Sequence, residues 1–173
     1  MNRREEGFTL VEVLIVVAIL GVLASMAIMS VMRARAAANE SSAIGALRTI
    51  TSGQIVYSSS CGRGNFADDL TTLAAHPPDS PEPFLSPDLT AAATIVKSGY
   101  RVTLTAKTGA LIGPNDCNGI PTSSGYYASS WPLTFGTSGN RSFATSSPAS
   151  MIWQINAALP PLEPFVAPAR ILQ

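Results

Sequence analysis

Hydrophobic and polar positions change character along the chain at about Met32. From Phe8 onward apolar residues follow one another with little relief, and Val13–Met32 is a run of 20 residues without a charged side chain. As a helix rising about 1.5 Å per residue, that run spans about 30 Å, the thickness of a hydrocarbon core. Beyond Arg33 a periodic pattern takes over. On a helical wheel of Asn39–Ser58, Ala43, Ile44, Ala46, Leu47, Ile50, Ile55 and Tyr57 fall on one broad side. Asn39, Ser41, Ser42, Arg48, Thr49 and Ser52 cluster opposite, with Val56 an exception on the polar side. No proline precedes Pro77, so one helix is predicted from Phe8 to Ser59, about 78 Å long. Its second half needs an apolar cover, which only the residues after Ser60 can supply within the chain.

The remaining pattern is that of strands and loops. Phe66–Ala75 predicts a short helical turn with Leu70 and Leu73 inward. His76–Asp88 packs five prolines into 13 residues and reads as loop or polyproline II. Tyr100–Lys107 alternates cleanly: Tyr100, Val102, Leu104 and Ala106 on one face, Arg101, Thr103, Thr105 and Lys107 on the other. Gly125–Trp131 and Asn140–Thr145 predict further short strands, and Ser150–Ile155 a fourth.

Composition narrows the functional classes. The 173 residues carry 11 Lys+Arg against 11 Asp+Glu, so net charge is zero and charged residues make up 13%. That is about half the roughly 25% of ordinary soluble domains. A chain without net positive charge is a poor candidate for neutralising many phosphates. The length suits one modest domain plus the apolar segment and excludes a multidomain enzyme. All 13 prolines lie between Pro77 and Pro168, so the membrane-grade helix and the proline-punctuated body are separate parts of the sequence. Arg3 and Arg4 before the apolar run are matched by Arg33 and Arg35 after it, which leaves orientation by positive charge a near tie. Leu23-Ala24-Ser25-Met26-Ala27 mimics a small-residue cleavage site, the mark of a discarded secretory signal. Glu12 is the one ionisable residue near the start of the run. A carboxylate there either snorkels to headgroups or marks a functional site with a partner.

The stretch Gly7-Phe8-Thr9-Leu10-Val11-Glu12-Val13-Leu14-Ile15-Val16-Val17-Ala18-Ile19-Leu20-Gly21 resembles the start of type IV prepilins and of the type II secretion pseudopilins. The likeness is specific over residues 1–32. It continues more weakly through Ala38–Ile50, where it is nearer to bacterial type IV pilins, and beyond Ser60 it is architectural only. The resemblance implies an α+β fold, with a long N-terminal helix packed on a small antiparallel sheet of three or four strands. It implies a leader, residues 1–7, removed by a prepilin peptidase between Gly7 and Phe8, with N-methylation of Phe8. Residues 8–32 would then be a transmembrane and filament-core helix and 33–59 its amphipathic continuation. A globular body pinned by a disulfide would occupy 60–158, and 159–173 a proline-rich tail, extended over the surface or mobile.

The same resemblance gives Glu12 its partner, the α-ammonium of a neighbouring subunit's Phe8, so that Glu12 sets assembly register. It implies an inner-membrane precursor and then a cell-surface filament of identical subunits, a pilus. The partners implied are an assembly ATPase and an inner-membrane platform protein. An exported body also implies that Cys61 and Cys117 form one disulfide, where many pilins place theirs nearer the C-terminus. Closing such a ring contributes on the order of 4 kcal/mol in the chain-entropy model. Many relatives have proline where this chain has Met29, so nothing forces the helix to break between Gly21 and that position. A pseudopilin and a low-copy minor pilin are the alternative roles.

Other chemistry finds little footing. His76 is the single histidine, next to two prolines in a loop, and no nucleophilic arrangement is expected around it. No phosphate-binding loop or zinc spacing is present, and no catalytic residue, metal or cofactor is expected. Asn115-Asp116-Cys117-Asn118-Gly119 offers oxygens but one charge, so an Asx-rich turn is preferred to calcium. Arg33, Arg35 and Arg48 lack interleaved aromatics, and nucleic acid is not an expected partner. Asn39-Glu40-Ser41 and Asn140-Arg141-Ser142 fit the glycosylation sequon, a weak signal.

Overall fold

The computed structural model describes residues 7–78 and 80–172. Residues 1–6, with Arg3 and Arg4 of the expected leader, lie outside the described residues, as do Asp79 and Gln173. The chain divides into two compact units, Met1–Arg35 and Ala36–Gln173.

One helix, α1, runs unbroken over the 51 residues Leu10–Ser60, passing through Gly21 and Met29 without a kink-forming proline. Within the first unit every described residue, Gly7–Arg35, is exposed. The helix is long and apolar enough there to cross a membrane. Its two serines return their hydroxyls to the helix, Ser25 to the Val22 carbonyl at 2.7 Å and Ser30 to Ala27 at 3.1 Å. Those internal bonds leave the segment no unsatisfied hydroxyl to present to an apolar surrounding.

The second unit is α+β. The last turns of α1 lay a stripe of Ala43, Leu47, Ile50, Gln54 and Tyr57 into the core. Spacings of three and four residues keep these on one face. The stripe is narrower than the wheel predicts: Ile44 is only partly buried, and Ile55 is exposed. Gln54 takes a place the pattern assigned to no one. Its amide donates to the Ala67 carbonyl at 2.7 Å and accepts the Ala67 N–H at 3.0 Å, so a buried polar side chain is satisfied on both ends. Gly53 lets the chain cross closely, since a Cβ there would sit 2.7 Å from the Leu85 side chain.

A six-stranded antiparallel sheet forms the rest of the core, in the order β1-β2-β5-β6-β7-β8. Its strands are β1 (Thr94–Lys97), β2 (Tyr100–Ala106), β5 (Tyr126–Pro132), β6 (Ser142–Ser146), β7 (Trp153–Ile155) and β8 (Arg170–Ile171). A separate hairpin joins β3 (Ile112–Asn115) and β4 (Pro121–Ser123). Tyr100, Val102 and Leu104 of β2 point inward as the alternation requires, and all three are buried. They pack with Tyr126, Ala128 and Phe143. A short α2 (Pro87–Thr90) and a 3₁₀ turn at Thr72–Ala74 close the near side, with Leu70 and Leu73 fully buried.

The sheet has six strands instead of three or four. The additional ones are too short to show an alternation: β1 has four residues and β8 two. The tail follows the first of the two alternatives expected of it and lies over the surface of the sheet, held there by specific contacts. Leaving β7, it crosses the outer face of the sheet and returns to pair as β8. Ser142 donates to the Ala157 carbonyl at 2.6 Å and Tyr127 to that of Pro161 at 2.7 Å. Phe165 stacks between Tyr127 and Trp153, with centroids at 6.3 and 5.2 Å. Glu163 accepts the Thr108 N–H and lies 3.8 Å from the Lys107 ammonium. Stacked aromatics outweigh what the prolines withhold in backbone hydrogen bonds.

Candidate functional site

The segment that the sequence singles out begins with Gly7 and Phe8 in irregular, exposed backbone just ahead of α1. Thr9 then stands at the helix N-cap. Its N–H and its hydroxyl both donate to Glu12 Oε2, at 2.9 and 2.7 Å, while the Glu12 N–H donates to Thr9 Oγ1 at 3.3 Å. This reciprocal pairing of residues three apart is a capping box, and it satisfies donors that every helix start leaves open. Glu12 therefore has a partner within its own chain. The spacing Thr9-Leu10-Val11-Glu12 is itself that of a capping box.

The two cysteines come together at the other end of α1. Cys61 and Cys117 form a disulfide with Cα atoms 4.9 Å apart, and the Cys117 N–H donates to the Cys61 carbonyl at 3.1 Å. Beside it Asp116 is buried, with both oxygens spoken for. Oδ1 accepts the N–H groups of Asn118 and Ile120, each at 2.8 Å, and Oδ2 accepts the Tyr57 hydroxyl at 2.8 Å. The loop is thus an Asx-type turn braced against the helix. Among the described residues no group of three or more His, Cys, Asp or Glu side chains could hold a metal ion. Burial, and after it the Asp116 carboxylate, raise the Tyr57 phenol well above the usual tyrosine range.

Sequence reasoning missed a third site. Glu40 lies on α1 and is buried, yet it is a carboxylate. Its Oε1 accepts the N–H groups of Asn140 and Arg141 at 2.8 and 3.2 Å. Its Oε2 receives the Arg141 guanidinium, at 2.8 Å from Nε and 2.7 Å from the second nitrogen. Arg141 also donates to Gln154 Oε1 at 2.8 Å and lies over the Phe143 ring at 5.6 Å. Asn39 adds a bond to the Ser138 carbonyl at 3.0 Å. No sequence signal joins positions a hundred residues apart, so this clamp was hidden. In the first sequon the Asn39 amide is taken up by the Ser138 carbonyl, whereas Asn140 of the second is exposed and contributes only its backbone N–H to the clamp. Gly139 allows the loop to pass, because a Cβ there would collide with the Tyr100 ring.

His76 is exposed, with Nδ1 3.0 Å from the Pro77 carbonyl, and no acid or nucleophile among the described residues is bonded to its ring. Arg33, Arg35 and Arg48 are exposed on α1.

Residues 2–30 match the prokaryotic N-terminal methylation motif. That motif is the class III signal peptide found in type IV pilins and pseudopilins, and here it covers the N-terminal segment and most of the apolar run. No curated protein and no solved structure matches the chain.

Proposed function

We propose that the protein is a type IV pilin, made as an inner-membrane precursor and polymerised through α1 into a cell-surface filament. The observation that carries this reading is the methylation motif at residues 2–30, which takes in an apolar helical segment that the described residues leave uncovered. A helix apolar on all sides needs lipid or other helices around it. Lipid serves first, and the helices of other subunits replace it on assembly.

In this reading the peptidase cuts between Gly7 and Phe8, Phe8 is methylated, and the new α-ammonium pairs with Glu12 of a neighbour. A carboxylate in an apolar filament core is strongly unfavourable without an opposite charge, so the pair fixes axial register. The leader removes two charges of each sign, so the mature chain keeps zero net charge. The Cys61–Cys117 bridge pins the body, and an assembly ATPase and platform protein supply the work. A pseudopilin of type II secretion is the second reading, because the motif is common to both.

Shearing filaments from cells and sequencing the subunit by mass spectrometry tests the proposal. The expected subunit starts at N-methylated Phe8 and is the main component. A terminus at Met1 or after Ala27 overturns it, and a short periplasmic fibre without surface filaments selects the pseudopilin reading.

A further inference from the structure

Next to the Glu40–Arg141 clamp, a cleft of about 640 Å³ opens on the β6-β7-β8 side of the sheet. Arg141, Gln154, Asn156 and Arg170 line it, together with the apolar side chains of Ile155 and Pro168. Gln154 and Arg170 are register partners on β7 and β8 and so stand side by side. Arg141 is held by Glu40 and spends one further N–H on Gln154 Oε1. With its carbonyl oxygen taken by a donor, Gln154 is left with its NH₂ to offer. Among the described residues Arg170 has no ion-pair partner and no carboxylate lines the cleft. Among them the Arg141 charge is balanced and the Arg170 charge is not. The lining therefore offers one net positive charge, an excess of N–H donors and an apolar wall.

We propose that this cleft binds a compact carboxylate, received by Arg170 and by the amides of Gln154 and Asn156, with Arg141 as a fixed wall. A guanidinium matches the two oxygens of a carboxylate in a bidentate fork. One uncompensated charge suits a monoanion better than a phosphate carrying about −1.5 to −2. The acid is either a free small molecule or the acidic side chain of a second copy, since Asp68 and Glu82 are exposed and form no ion pair.

The test uses the full chain in detergent micelles, following the side-chain ¹⁵N signals of Arg170 and Gln154. Titration with glucuronate is expected to shift both in a saturable way, at concentrations at least tenfold below those of chloride at matched ionic strength. Arg170→Gln removes the response and Asn156→Ala weakens it several-fold, with thermal unfolding unchanged because both residues are exposed. A dilution series without added acid distinguishes the sources. Shifts that depend on protein concentration and vanish in Asp68→Asn/Glu82→Gln identify a second copy; dilution-independent signals that respond to glucuronate identify a free acid. The proposal is overturned by no response to glucuronate or dilution, by a response that survives Arg170→Gln, or by inorganic phosphate binding more tightly than glucuronate.

Discussion

Glu12 and Glu40 stand on one continuous helix, yet their surroundings have nothing in common. Among the described residues Glu12 is met only by its own first turn: Thr9, three residues away, meets the carboxylate with an N–H and a hydroxyl. Around Glu40 the chain provides two backbone N–H groups and a guanidinium from the residues that lead into β6. The first unit is exposed throughout its described length and apolar from Val13 to Met32, and the second has a closed core in which the buried carboxylates Glu40 and Asp116 are paired. A carboxylate that folding itself buries finds its partner in the fold. One that folding leaves outside is free to answer to something beyond the chain.

Exchanging each acid for alanine separates the two roles most sharply. Glu40→Ala strands two partly buried N–H groups and the Arg141 charge. Loss of a partner from a fully buried ion pair costs about 3–5 kcal/mol. Arg141 keeps 42% of its side-chain surface in water, so about 2–3 kcal/mol is expected here, read from chemical denaturation of the protein. Glu12→Ala should leave that denaturation curve unmoved and the protein in the membrane, while surface filaments disappear. Normal filaments on a Glu12→Ala strain would dissolve the contrast between the two residues.

Next in size is the bridge. Cys61→Ser with Cys117→Ser should cost about 2–5 kcal/mol, and the loss should be confined to the unfolding of the second unit. Helicity of Leu10–Arg35 in micelles would stay the same. An equal loss in both would mean that the units do not unfold separately.

Alkaline pH bears on the second unit alone, because none of the chain's four tyrosines lies in the first. Burial raises Tyr57 and Tyr100, and pushes Tyr127 up to about 12. An unfolded tyrosine releases its proton near pH 10 while these hold theirs. The unfolded state then binds fewer protons than the folded one, so stability is complete below about pH 10 and falls as pH rises through 10–12. Phenolate absorbance and circular dichroism recorded together should change in one step. Ionisation well ahead of unfolding would show that the hydroxyls are open to water.

The smallest effect is expected at the capping box. Thr9→Ala removes a cap contributing about 1 kcal/mol and should fray the first turn of α1, seen as faster amide exchange at Leu10–Val13. Thr9→Ser should restore protection. Protection unchanged in Thr9→Ala would show that the surrounding lipid, not the cap, holds the turn.

How far the fold could be read from the sequence follows the range of the interactions. The continuity of α1 was plain, because nothing between Phe8 and Ser60 breaks a helix. The strand β2 was plain as well, alternating in burial from Tyr100 to Leu104, although Ala106, expected on the inner face, is exposed at the strand end. The hairpin of β3 and β4 was not: each strand contains a proline and neither alternates. The burial of Gln54 escaped the wheel for a related reason. A wheel sorts residues by polarity, whereas Gln54 is buried because an unpaired backbone stretch at Ala67 offers it a donor and an acceptor together. Ile55, one position on, is apolar and exposed because its direction points away from the sheet. At the candidate site, the Phe8–Glu12 segment was readable through a resemblance of consecutive residues. The Glu40 clamp and the folded tail were not, since each depends on neighbours brought in from distant strands.

The position of the disulfide has a mechanical consequence. A pull applied through α1 is carried along the covalent chain to Cys61 at the helix end, and the covalent path leads from there straight to Cys117. The intervening segment, a sequence separation of 56, lies off the line of force. It cannot be drawn out while the bridge is intact, which shortens the fully stretched chain by about 190 Å at roughly 3.4 Å per residue. Force-extension curves of single molecules should lengthen by that amount on reduction, and the load in the oxidised protein falls on the strands after Cys117.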